Sequence, residues 1–287
     1  MAEEATATGN AVVFVDDPDD PRVALYRNLK DRDLRQRKGL FLGESELVLE
    51  RLVSSRFEIR SVLLHGARWE RLSVTLPPTV EVFVAPESVV EAIAGFPVHR
   101  GVLALAVRGE EILWTEIAAR PGPLLVLEDV GDPDNIGALF RAAAAFKYAG
   151  VLCSPGTADP LYRKAIRSSM GWTLHVPFAT VDPWPEALTT LDRTVIALTP
   201  ATDADDIASV SGSLGATSRD YAVLLGSEGP GLTNAALNSA NRLARIPMAD
   251  GIDSLNVAMA AAIALYEFGR AHRHPATRQP DNNPTTR

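Results

Sequence analysis

Cysteine is nearly missing from this chain: Cys153 stands alone among 287 residues, so no intrachain disulfide can staple the fold. Aromatic residues are sparse, at 6 %. No apolar run is long, and the longest, near Val257, covers about half of the roughly 20 residues a membrane helix needs. The five histidines (His65, His99, His175, His272, His274) fall at no metal-ligand spacing with acidic residues, which leaves no metal site to expect. The first residues, Met1 to Thr8, carry neither a basic segment nor an apolar one, so no secretory signal is read and a cytoplasmic location is expected.

What is present is an ordinary apolar content over a length that suits two domains, each with its own core. The net charge of −8 weighs against a nucleic-acid partner, since phosphate contacts are the main source of such affinity. Its distribution matters more than its sum. Residues 1–21 hold Glu3, Glu4, Asp16, Asp17, Asp19 and Asp20 with no base, whereas residues 22–38 hold seven bases (Arg22, Arg27, Lys30, Arg32, Arg35, Arg37, Lys38) against Asp31 and Asp33. Such a run is either a solvated face or a phosphate contact.

From Gly39 to Val107 short apolar runs alternate with amphipathic stretches: Gly39 to Leu42, Glu44 to Val53, Arg60 to Leu64, Val80 to Val84, Pro86 to Ala94 and Gly101 to Val107. This alternation predicts a small α/β domain, with Pro86 at the first position of a helix. The periodicity fades between Arg108 and Pro123, and Arg120-Pro-Gly-Pro punctuates the chain. The expected division is an acidic tail over 1–21, a first domain over 22–112, a linker over 113–120, a second domain over 121–274 and a disordered Pro-, Asn- and Thr-rich tail over 275–287.

The second half repeats strand then helix: Leu124 to Glu128, Ile136 to Tyr148, Gly150 to Cys153, Pro160 to Met170, Thr194 to Leu198, Tyr221 to Gly226, a helix after Thr233, Leu243 to Ile246, and a last helix from Val257. Near-continuous apolar strands between helices predict a parallel sheet covered on both faces, with its ligand crevice beyond the strand C-termini.

Three polar clusters follow three of these strands. In Glu128-Asp129-Val-Gly131-Asp-Pro-Asp134-Asn135-Ile-Gly137-Ala-Leu-Phe-Arg141, Asn135 and Arg141 fall within about 40° of one helix face, a placement that suits phosphate binding. The plainer reading makes Asn135 an N-cap and pairs Arg141 with Glu128. In Gly226-Ser-Glu228-Gly229-Pro-Gly231, glycines let backbone approach a ligand beside one carboxylate, although the spacing is not the dinucleotide fingerprint; a bare glycine turn is the alternative. In Ile246 to Asn256, Ser254 reads as the N-cap of an Ala-rich helix and Asn256 as an amide in its first turn that needs partners or a ligand.

In this order, Asn135-x-Gly137-x-x-x-Arg141, Gly226-Ser-Glu228-Gly229-x-Gly231 and Ile246-Pro-Met-x-x-Gly251-x-x-Ser254-Leu255-Asn256 resemble the three signature motifs of the SpoU (TrmH-like) RNA 2′-O-ribose methyltransferases of the SPOUT superfamily. Phe41-Leu-Gly43-Glu44-Ser45-Glu46 and His99-Arg100-Gly101-Val-Leu-Ala resemble that family's N-terminal domain, so the likeness spans about 20 to 272.

The resemblance implies an α/β fold with a trefoil-knotted SPOUT catalytic domain and a smaller, ribosomal-protein-like α/β domain that binds RNA. It implies an enzyme that methylates a ribose 2′-hydroxyl in rRNA or tRNA from S-adenosylmethionine, and a homodimer formed through the catalytic domain, whose sites borrow groups from the partner. Asn135, Arg141, Glu228, Ser254 and Asn256 would form the catalytic set. Leu198, Thr199, Pro200, Gly226, Ser227, Glu228, Gly229, Gly231, Ile246, Met248, Ser254, Leu255 and Asn256 would hold the cofactor. The basic block, Arg100, Arg163, Lys164 and Arg167 would meet RNA. Two departures stand out: Ala258 where many relatives have Ser, and Arg100 where many have Gln. The competing readings are a non-catalytic RNA-binding or assembly protein on the same fold and, less well matched, a nucleotide-dependent oxidoreductase.

Overall fold

The computed structural model describes residues 4–5, 10–27, 35, 39–72, 74–95, 98, 101–214 and 220–273. The first part of the chain forms a six-stranded mixed sheet from β1 (Glu4–Ala5), β2 (Ala11–Phe14), β3 (Leu40–Glu44), β4 (Ile59–His65), β5 (Glu81–Ala85) and β6 (Val102–Val107), in the order β1-β2-β5-β4-β6-β3. β2, β5 and β4 run parallel, while β6 pairs antiparallel with both β4 and β3. Helices α1 (Glu46–Val53), α2 (Gly66–Trp69) and α3 (Glu87–Ala94) accompany it.

Local chemistry sets the ends of these helices. Ser45 accepts a hydrogen bond from the Val48 amide at 3.3 Å, so α1 starts after it. Pro86 is the N-cap of α3 instead of its first helical residue, and Gly95 closes that helix in the left-handed conformation at φ 76°. Alternate strand residues divide between two cores. Leu40, Leu42, Leu63, Phe83 and Leu103 pack under α3, and Phe41, Val62, Leu64, Val82 and Val84 pack with α1. The α1 core continues into Leu161, Ile166 and Leu174 of the second half, which ties the two halves together through apolar burial.

The second half builds a seven-stranded sheet in which every pairing is parallel. Its strands are β7 (Leu124–Leu127), β8 (Gly150–Cys153), β9 (Phe178–Thr180), β10 (Thr194–Leu198), β11 (Asp205–Asp206), β12 (Tyr221–Leu225) and β13 (Arg242–Arg245), ordered β11-β13-β10-β12-β7-β8-β9. One face packs on α5 (Pro133–Ala145), α6 (Arg163–Ser168), α7 (Ile207–Ser213) and α9 (Val257–Arg273) through Phe140, Ala165, Tyr221, Leu265 and Phe268. The other packs on α4 (Trp114–Ala118) and α8 (Asn234–Asn238) through Ile117 and Ala236. The expected double covering of a parallel sheet is therefore present. Gly137 is needed where α5 meets α6: a Cβ there would sit 1.9 Å from Ser168 Oγ and 2.6 Å from the Ala165 carbonyl oxygen.

Several expected boundaries move. The acidic segment 1–21 is more than a tail, because β2 lies inside the first sheet with Val12 only 1 % exposed. The expected linker over 113–120 contains α4, whose Ile117 is fully buried in the second domain's core. The segment 275–287 lies outside the described residues.

Candidate functional site

Because all seven strands of the second sheet point the same way, the loops that follow β10, β12 and β13 gather at one edge. There they enclose a cavity of about 470 Å³. Every residue expected to hold the cofactor lies on its wall: Leu198, Thr199, Pro200, Gly226, Ser227, Glu228, Gly229, Gly231, Ile246, Met248, Ser254, Leu255 and Asn256. The sequence reading misses Leu225, Pro230, Leu232, Val257 and Ala260, which complete the wall. Only their adjacency to the polar motifs marks them, since apolar residues at strand and helix ends look like core.

The loop after β12 is folded tightly on itself. The Gly231 amide donates to the Ser227 carbonyl at 3.2 Å, and Gly229 and Gly231 hold φ of 87° and 70°, values that L side chains rarely adopt. A Cβ on Gly226 would meet the Gly231 carbonyl carbon at 2.3 Å and the Leu232 nitrogen at 2.5 Å. The glycines thus let two backbone stretches touch, leaving Glu228 exposed at the cavity.

Asn256 joins the three motifs. Its Oδ1 accepts from the Ala258 and Met259 amides at 2.9 and 3.3 Å, so Asn256, not Ser254, caps α9. That cap fixes the amide's orientation, since the NH₂ must then face away from the helix. The Nδ2 donates to Asn135 Oδ1 at 3.1 Å and to Glu228 Oε1 at 2.5 Å. Asn135 is buried and sits inside the first turn of α5; the cap of that helix is Asp132, which accepts from the Asp134 amide at 2.9 Å. Asn256 itself is exposed, and it ties the buried Asn135 to the exposed Glu228 of the cavity wall. Ser254 is exposed on the cavity wall.

Glu128 has a part the sequence reading does not give it. Instead of pairing with Arg141, its buried carboxylate accepts from the Thr233 amide and hydroxyl at 2.8 and 2.9 Å and from Trp184 Nε1 at 2.9 Å. Thr233 is also the cap of α8, accepting from the Ala236 amide at 3.1 Å. Glu128 therefore clamps the far end of the glycine loop. A carboxylate at a strand end with a Thr before a short helix is the only trace this leaves in the sequence.

Arg141 stands apart from the cavity. It is exposed on α5, with no hydrogen bond or ion pair to another described residue, and it does not line the cavity. Burial, and then the charge of Arg141, lower the pKa of Arg51, whose own guanidinium lies over the Trp172 ring at 4.5 Å.

The expected RNA contacts divide. Lys30, Arg32, Arg37, Lys38 and Arg100 lie outside the described residues. Arg22 is paired with Asp20 at 2.6 Å, and Arg27 lies 4.0 Å from Asp19, so the acidic segment neutralises the start of the basic one. Arg35 lies 3.3 Å from Asp159. Arg163 and Arg167 stand 3.5 and 3.8 Å from the buried Glu44, and Lys164 is 3.0 Å from Asp134. Arg167 and Lys164 keep 55 % and 48 % of their side-chain surface exposed despite these pairs.

Comparison with known proteins fits this arrangement. An uncharacterized tRNA/rRNA methyltransferase of Mycobacterium bovis is 40 % identical over 272 residues, covering 93 % of this chain and 94 % of the relative. A 23S rRNA (guanosine-2′-O-)-methyltransferase of Bordetella pertussis is 33 % identical over 178 residues, covering 60 % of this chain and 71 % of that protein. The crystal structure of an AdoMet-bound rRNA methyltransferase from Sinorhizobium meliloti superposes with a TM-score of 0.77 at 25 % identity, over 90 % of this chain and 98 % of that one. The model of the SpoU rRNA Methylase family matches residues 122–266, the span of the parallel sheet and its loops, and the chain belongs to that family.

Proposed function

We propose that the protein transfers a methyl group from S-adenosylmethionine to a ribose 2′-hydroxyl of rRNA or tRNA, at the cavity beyond β10, β12 and β13. The observation that carries this reading is the convergence of Asn135 from the first turn of α5, Glu228 from the loop after β12 and Asn256 from the loop after β13 beside that cavity. The wall suits such a cofactor. Apolar Leu198, Leu225, Ile246 and Leu255 offer a surface for an adenine ring, the glycine loop offers close backbone, and Glu228 offers a carboxylate to a cationic ligand. When bound, the cofactor supplies an electrophilic sulfonium methyl.

The remaining work falls to this chain's residues and to the RNA. The attacking hydroxyl must have its proton loosened and its oxygen held in line. Among the described residues no histidine lines the cavity to take that proton, and an arginine is essentially never deprotonated in a protein. Arg141 therefore binds the target phosphate and steadies the charge that develops on the 2′-oxygen. Asn256 keeps Glu228 and α5 in register with the cavity.

Because Arg141 does not reach its own chain's cavity, it serves that of a partner subunit in a two-fold dimer. Helix α9 carries the apolar stripe for such a contact: Met259, Ile263 and Tyr266 are 63 %, 42 % and 53 % exposed. α5 and α9 meet at Asn135–Asn256 near their starts and at Phe146–Tyr266, 6.1 Å between rings, near the end of α5. Arg141 lies between those contacts on α5, as Met259 and Ile263 do on α9.

The trefoil knot belongs to the same reading, supported by a sheet order that sets the late strand β13 between β10 and β11. So does an RNA-binding role for the mixed N-terminal sheet, with Arg163, Lys164 and Arg167 beside it. None of the described helices is long and apolar enough to cross a membrane, in keeping with a cytoplasmic place of action.

The test is incubation with methyl-labelled S-adenosylmethionine and ribosomal and transfer RNA, followed by alkaline hydrolysis. A 2′-O-methyl group blocks cleavage of the next phosphodiester, so the label is expected in alkali-resistant dinucleotides. Label in mononucleotides would assign a base instead, and no transfer with intact RNA binding would favour a binding protein.

A further inference from the structure

A second cavity, of about 620 Å³, opens between the two domains at the ends of β8 and β9, and no residue of its wall belongs to the wall of the cofactor cavity. We propose that this crevice binds one unstacked nucleotide of the RNA substrate, away from the nucleotide that is methylated; the inference rests on the RNA methyltransferase reading above.

The wall has the parts that single-stranded RNA recognition uses, a flat apolar surface for a base, guanidiniums for the backbone and a polar group for a base edge. Trp114 and Phe178 supply ring surface, and both are only partly buried. Arg56 is exposed at the rim, and Arg108 lies deeper, 15 % exposed. Burial, and then the charge of Arg108, lower the pKa of Arg56, so an incoming phosphate would relieve a crowding of like charges.

Asp159 supplies the polar edge. Its side chain is 2 % exposed, and Oδ1 is occupied by the Leu161 amide at 2.9 Å and Arg108 Nη2 at 3.2 Å. Oδ2 lies 3.0 Å from Arg108 and 3.3 Å from Arg35, yet neither approach has hydrogen-bond geometry, so its charge is balanced while its lone pairs stay unused. A buried acceptor in that condition is costly and favours a ligand that donates to it. The exocyclic amino group of adenine, cytosine or guanine would do so, whereas uracil offers only its ring N3–H, set between two carbonyl oxygens that a carboxylate repels.

The position suits a substrate strand running along the same sheet edge. Only β7 separates β12, which carries the glycine loop, from β8, so the two openings lie roughly 10 Å apart at the usual strand spacing.

The experiment measures binding of fluorescein-labelled oligoadenylate, oligocytidylate and oligouridylate to the full chain and to Arg56→Glu and Asp159→Asn, with S-adenosylmethionine affinity and thermal unfolding as checks on each variant. Wild type is expected to bind oligoadenylate and oligocytidylate roughly tenfold tighter than oligouridylate. Arg56→Glu weakens all three by roughly tenfold, and Asp159→Asn removes the preference. Arg56→Glu sits on the surface and keeps the test open should Asp159→Asn fail to fold. Affinities within twofold of wild type in Arg56→Glu, or wild-type binding blind to the base, would overturn the subsite while leaving methyl transfer standing. Failure of wild type to bind S-adenosylmethionine or transfer methyl would instead strike the enzyme reading, and the oligonucleotide affinities would still decide on the crevice.

Discussion

In the mixed N-terminal domain, carboxylates are matched by neighbouring bases: Asp20 by Arg22, and Glu44 at the end of β3 by Arg163 and Arg167 of α6 in the second domain. In the parallel sheet, the polar groups beyond β12 and β13 face a cavity instead, and Glu228, Ser254 and Asn256 are all exposed. The difference follows from strand direction. A mixed sheet scatters its strand ends over two edges, whereas seven parallel strands deliver every following loop to one. The edge where loops gather can hold a ligand, and the other domain can brace it.

That contrast can be tested from its strongest point to its weakest. Arg141→Lys keeps the charge but loses the planar fork, and turnover with RNA is expected to fall about 100-fold with cofactor affinity unchanged. Near-normal turnover would remove Arg141 from the reaction. Asn256→Ala cuts the tie between the motifs and also uncaps α9. Methyl transfer should drop at least tenfold in a steady-state assay, against an unfolding cost of about 1 kcal/mol in urea titration. Equal losses in both would make the residue merely structural. Glu128→Gln keeps the shape of the clamp on Thr233 but weakens charge-assisted hydrogen bonds, so cofactor affinity should fall about tenfold in calorimetry.

The smallest effect belongs to the N-terminal domain. Hydrogen bonding to Arg22 lowers Asp20 from 3.8 to about 2. A carboxylate depressed in this way stabilises the fold above the unfolded value and loses that contribution as pH falls through about 2. Asp20→Asn should change little at pH 7 in methyl transfer and flatten the acid limb of the N-terminal domain's unfolding, read by its hydrogen exchange.

The parallel sheet was legible in the sequence because its strands, such as Leu124–Leu127 and Tyr221–Leu225, are buried on both faces and read as apolar runs. β2 and α4 were not legible: Ala11–Phe14 is short and is followed by the acidic Asp16 to Asp20, and Trp114–Ala118 is little more than a turn. At the site, the motifs marked the wall of the cavity because three of them in order each follow a strand of one parallel sheet, whose loops share an edge. Their connections were hidden. The cap of α9 passed from Ser254 to Asn256 because both residue types cap helices, and the clamp of Glu128 on Thr233 spans a separation of 105 residues that no local pattern records.

The most direct test of the central claim, that the edge cavity is the cofactor site, is calorimetric titration of S-adenosylmethionine into wild type and Gly226→Ala. The added methyl would meet the Gly231 backbone carbon at 2.3 Å and the Leu232 nitrogen at 2.5 Å and force the loop open. The account predicts one saturable site per chain in wild type and a loss of at least about 100-fold in the variant, whose unfolding transition stays cooperative. Equal affinity in the two proteins would contradict it.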